Sequence, residues 1–162
     1  MDRRVANSSI TIAVVALTVL GVVLPAAAGT AVPRDLGNGI TAVIHTPEDI
    51  IENWLTPDKD GSTLVHPSSG RVELATSEEG LHPFAASEVV SALASMHGIT
   101  APVEVDVFIL PSYPTATMSS FARRGAIFLA PGTGPVDAQT VAYITTREMG
   151  HVLTWAFVDG QP

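Results

Sequence analysis

The chain has 162 residues, 46% of them hydrophobic, with 16 Asp and Glu against 8 Lys and Arg and a formal net charge of −8. That balance excludes the basic footprint of a nucleic-acid binder. The length suits one domain with a modest core. There is no cysteine, so an exported form would rest on packing or a bound metal rather than on disulfides.

Residues 1–28 read as a secretory signal peptide. Arg3 and Arg4 form a basic start, Ile10 to Leu24 is an apolar run, Pro25 breaks it, and Ala26-Ala27-Ala28 supplies a small-residue cleavage site. The expected location is secreted or cell-envelope. The alternative is a membrane anchor made by residues 10–24, although an apolar run of about 15 residues is short of the roughly 20 that a spanning helix needs. Residues 29–39 contain Pro33, Gly37 and Gly39 and read as a linker. The remainder, 40–162, reads as one domain.

Ile40 to Ile44 reads as a short strand. Thr46-Pro47-Glu48-Asp49 then starts a helix, with Thr as N-cap, Pro at N1 and acids in the first turn. It runs to about Leu55. Thr56 to Gly70, punctuated by Pro57, Asp58, Asp60, Gly61 and Pro67, reads as an exposed loop. Val72 to Ala75 is a candidate strand. Pro83 to Met96 keeps Val89, Val90, Leu93 and Met96 on helical spacing, with Gly98 as its stop. Val103 to Leu110 alternates Val103, Val105, Val107 and Ile109 against Glu104 and Asp106, which predicts a half-buried strand.

Ala126 to Ala130 reads as another strand. Pro135 opens a final helix to about Val158, apolar around most of its circumference and therefore expected at the centre of the fold. In its middle stand the charged residues Arg147 and Glu148, expected to be buried and so to need partners. Adjacent helix residues do not face one another, whereas Arg147 and His151, four apart, do.

Arg147-Glu148-Met149-Gly150-His151 differs at one position from H-E-x-x-H, in which two histidines at i and i+4 hold zinc and the glutamate is the general base. With the preceding strand and the long helix, the stretch from about Val103 to Val158 resembles the core of the zincin-type zinc metallopeptidases. The resemblance implies an α+β fold, a small mixed sheet with a long central C-terminal motif helix. It gives Glu148 the general-base position, His151 the second zinc-ligand position, and Ala126, Ile127, Phe128 and Leu129 the edge strand along which a peptide or protein substrate lies antiparallel. Arg147 stands at the first ligand position and has no lone pair to offer. The longer metzincin pattern is not met, because Thr154 and Phe157 stand where Gly and His would be. The branch with a downstream glutamate ligand fits better, although only a few residues follow His151.

The expected zinc binding is weak or absent. A +2 ion about 5 Å from a guanidinium is disfavoured by about 6–7 kcal/mol at an effective dielectric of about 20. The chain thus reads as an exported metallopeptidase-like domain without activity as it stands, either a piece of a longer enzyme or a degenerate relative. The alternative is a non-catalytic interaction domain in which Arg147 and Glu148 form a buried structural pair. No nucleic-acid partner is expected, and membrane contact only through an uncleaved N-terminus. His45, His66, His82 and His97 stand beside turn or cap signals and read as surface or capping residues. Trp54 and Trp155 read as core.

Overall fold

A computed structural model describes residues 31–159; the signal-peptide reading and the residues beyond Asp159 lie outside them. The elements in chain order are β1 (Arg34–Asp35), β2 (Ile40–His45), α1 (Pro47–Asn53), β3 (Leu55–Asp58), β4 (Gly61–His66), β5 (Gly70–Ala75), α2 (Ala86–Ala94), β6 (Val103–Ile109), β7 (Phe121–Arg123), β8 (Ala126–Leu129) and α3 (Ala138–Asp159). The fold is α+β. A five-stranded mixed sheet has the order β1-β2-β6-β8-β7, and a second, antiparallel sheet has the order β3-β4-β5. β2, β6 and β8 run parallel, and β1 and β7 are antiparallel edges.

The large sheet is the middle of three layers. Val105, Val107, Ile109, Ile127 and Leu129 face α2 and α3, where Val89, Leu93, Val141, Met149 and Val152 close a core. Phe108, Ala126 and Phe128 face the other way and pack against Ile50 of α1 and Leu64, Val72 and Leu74 of the small sheet. β6 and β8 are therefore buried on both faces, as central parallel strands are. On the second face an aromatic row crosses four strands in register. His45 stacks on Phe108 at 4.4 Å, Phe108 on Phe128 at 5.1 Å and Phe128 on Phe121 at 4.8 Å, and the Arg123 guanidinium lies 5.3 Å from the Phe121 ring centre.

Several expectations are corrected. The Thr56–Gly70 loop is mostly the β3–β4 hairpin: its turn residues mark the bends, β3 is held by pairing with β4, and β4 by pairing with β3 and β5. The segment read as a linker contributes Arg34 and Asp35 to the sheet edge. α2 is shorter than read, capped at Ser95, with Gly98 left-handed beyond it (φ 78°). α3 starts at Ala138 rather than at Pro135, because Asp137 caps it by accepting from the Thr140 N–H at 2.9 Å. Nor is α3 central. It buries one stripe, Val141, Thr145, Glu148, Met149 and Val152, and leaves Tyr143, Phe157 and Val158 exposed. Trp155 is only partly buried. No helix among the described residues is long and apolar enough to cross a membrane.

Candidate functional site

Helical spacing puts Thr145, Glu148 and Val152 on one stripe of α3, and this stripe packs against β7 and β8. Glu148 is 2% exposed. Its Oε1 accepts a hydrogen bond from Nη1 of Arg147 at 2.6 Å. The expectation that neighbouring helix residues cannot meet fails here, because a long arginine stem can fold back along the helix. The expectation of a buried pair fails by half: the Arg147 side chain is 57% exposed, and only the glutamate is buried. Beside Glu148, the Thr145 hydroxyl is buried without a partner. His151 is exposed, with its ring 6.5 Å from that of Trp155.

The edge-strand assignment is also corrected. Ala126, Ile127, Phe128 and Leu129 are fully buried and lie inside the sheet. β6 hydrogen-bonds to one side of them and β7 to the other, which leaves no free edge for a peptide to pair with. The antiparallel edge beside α3 is β7, Phe121–Arg123, a strand that sequence patterning missed because three residues show no period.

The zinc that the resemblance implies does not fit the residues present. At the first ligand position stands an arginine, its guanidinium occupies the carboxylate of Glu148, and His151 is a single exposed imidazole. Among the described residues no three His, Cys, Asp or Glu side chains converge so as to hold a metal ion.

A second constellation went unread in the sequence. His45 and His66, taken there as surface residues, are 4% and 5% exposed. His45, at the end of β2, points Nδ1 at Asp49 Oδ2 of α1 at 2.8 Å and Nε2 at Asp106 Oδ1 of β6 at 2.8 Å. The other oxygen of Asp106, Oδ2, meets Nε2 of His66 at 3.1 Å. The Ser69 N–H donates to Nδ1 of His66 at 3.0 Å. That nitrogen is therefore an acceptor, so His66 is neutral and donates from Nε2 to Asp106.

His45 lies between two carboxylates and donates from both nitrogens, which makes it an imidazolium. Burial lowers its pKa, but the hydrogen bonds to Asp106 and Asp49 outweigh burial and hold it above the ordinary histidine value. For Asp106, burial raises the pKa, but the donors His45 and His66 bring it below the ordinary carboxylate value. Every ring nitrogen of the pair has a partner, so neither histidine has a lone pair free to act as a base. The network ties α1, β2, β4 and β6 together. It lies on the face of the large sheet opposite α3 and cannot complete a site around His151. A legible trace existed in His45-x3-Asp49, but Asp106 is 61 residues from His45 and only the parallel β2–β6 pairing joins them.

The chain matches no family model, no curated protein and no solved structure.

Proposed function

We propose that this chain is an exported, zinc-metallopeptidase-like domain that no longer hydrolyses peptides and acts as a binding domain. The reading rests on the resemblance of α3 to a zincin motif helix and on the hairpin of an antiparallel edge strand and a parallel strand that precedes it. The observation that carries the loss of activity is the 2.6 Å bond from Arg147 to Glu148. The residue in the first ligand position engages the carboxylate that would otherwise take a proton from metal-bound water. The role expected of Ala126–Leu129 passes to β7. A peptide that adds a strand to the large sheet on this side pairs with Phe121–Arg123.

The test is titration calorimetry with zinc, together with a peptide-cleavage assay, on the natural chain and on Arg147→His. The natural chain gives negligible zinc heat and no cleavage. The variant gains an imidazole at i, i+4 from His151, loses a fixed positive charge and frees Glu148, so its zinc affinity rises measurably. Cleavage stays absent, since a catalytic zinc needs three protein ligands. Stoichiometric zinc with hydrolysis in the natural chain overturns the proposal. Equal, negligible binding in both forms removes the zincin resemblance and leaves a binding domain whose Arg147–Glu148 pair is structural. Export belongs to the same proposal: N-terminal sequencing of protein recovered outside the cytoplasm gives Gly29 as the first residue. Retention of residues 1–28 in the membrane fraction favours the anchor instead.

A further inference from the structure

On the face of the large sheet away from α3 lies a cavity of about 370 Å³, within the size range of small-ligand sites, roughly 300–1,000 Å³. Trp54, Val43, Pro33 and Pro67 line it with apolar surface, and Asp106 and Glu104 line it with acid. The two acids stand two apart on β6 and so share a face. Asp106 is no ordinary surface acid. His45 and His66 each bind one of its oxygens, yet its side chain remains 32% exposed. Those two donors keep it ionised and fix its position while lone pairs remain free.

Among the described residues no lysine or arginine lines the cavity. The two arginines beside the lining residue Gly125 are held elsewhere: Arg123 donates to the carbonyls of Ser69 and Arg71, and Arg124 pairs with Asp159. His66, which also lines the cavity, is neutral in the tautomer that its bonds require. The imidazolium charge of His45 is matched by Asp49. Arg34, beside the lining residue Pro33, is paired with Ala42, which faces the α2–α3 core, so it stands on the opposite face of the sheet. Among the described residues the lining therefore carries a net negative charge against apolar walls, one of which is an indole.

We propose that this cavity binds a small primary alkylammonium, with its nitrogen between Asp106 and Glu104 and its stem against Trp54 and Pro67. A neutral apolar guest would bury carboxylates without partners, and an anion is repelled. A guanidinium can fork onto Glu104 but not onto Asp106, both of whose oxygens the histidines already bind, so it gains its bidentate advantage at only one of the two acids. An ammonium is a compact charge that takes single contacts from separate acceptors, and an aromatic wall favours it further.

The test uses the full chain with Trp155→Phe, so that Trp54 is the one tryptophan and is excited selectively over the two tyrosines, and n-pentylamine as the probe. The amine gives a saturable change in emission, whereas 1-pentanol, of the same shape without the charge, gives none. Glu104→Gln weakens the amine about two- to fivefold, the size of an exposed ion pair. Asp106→Asn weakens it about tenfold, the size of a charge-assisted contact. Because Asp106→Asn also disturbs the histidines, its fold is checked by circular dichroism. If that variant does not fold, the exposed Glu104 carries the test alone. Absence of a saturable response overturns the proposal. So does equal binding of the alcohol, which marks a merely apolar cavity, or undiminished affinity in Glu104→Gln, which puts the amine elsewhere.

Discussion

At the scale of single residues, His45 has the most to lose. Its removal leaves Asp49 and the partly exposed Asp106 without the cation between them. Taking one partner from a fully buried ion pair costs about 3–5 kcal/mol, and because water reaches Asp106, His45→Ala is expected to cost less, about 2–3 kcal/mol, read from urea unfolding. The same residue sets a pH dependence. A folded-state pKa held above the ordinary value of 6.5 means that its stabilisation is complete below 6.5 and is lost as pH rises through the raised value. Asp106 acts in the opposite sense. Its folded pKa lies below the ordinary 3.8, so its contribution is complete above 3.8 and is lost as pH falls through the lowered value. Stability from this network is therefore greatest between about pH 4 and 6.5. Urea midpoints across pH check this, and His45→Asn should flatten the alkaline decline. An alkaline decline that persists unchanged in the variant assigns it to another group.

At the scale of elements, two glycines respond in opposite directions. Gly61 opens β4 where the chain passes close to β5, and a Cβ there would lie 2.1 Å from the Leu74 carbonyl oxygen. Backbone in a paired ladder cannot move aside without breaking register, so Gly61→Ala is expected to destabilise the protein by about 1–3 kcal/mol, the usual cost of overpacking. Gly150 sits inside α3, and a Cβ there meets nothing within 4 Å. Gly150→Ala should stabilise by about 0.5–1 kcal/mol, because alanine gives up less backbone entropy in a helix. Thermal unfolding of both variants gives the signs, and a loss of stability in Gly150→Ala would mean that α3 packs against something at this position. The elements read correctly are those with local causes. Thr46 and Pro47 set the start of α1 through capping, and Val103 to Val107 alternates cleanly, although Phe108 breaks the period because β6 is buried on both faces rather than half-buried. The β3–β4 hairpin and β7 were missed although their partners lie only a few residues away, because the strands are short, Pro57 interrupts β3, and none of them shows a clean two-residue period.

At the scale of the molecule, β6 joins the layers. Val107 and Phe108, adjacent in sequence, point into different cores, so neither core can loosen without the strand that serves the other. The expected result is one cooperative transition. Trp54 reports the small-sheet side and Trp155 the helix side, and single-tryptophan variants should give coincident urea midpoints. Separated midpoints would show that the small sheet unfolds by itself. Phe108→Ala, which removes the middle of the aromatic row, is expected to lower both midpoints together by about 3–5 kcal/mol of stability.

The sequence by itself determined the α+β class, the first helix, the alternating strand at the centre of the sheet, and the placing of Arg147, Glu148 and His151 on one helix. Each of these follows from neighbours within a few residues, whose geometry is set by capping and by the periods of helix and strand. Only the tertiary structure decided which strand is an edge and which side of α3, Glu148 with it, is buried. It alone brought His45, His66 and Asp106 together from three strands. Those outcomes depend on sheet order and layer packing, and the free energy that selects them comes from burial between segments tens of residues apart, which leaves no period in the chain to read.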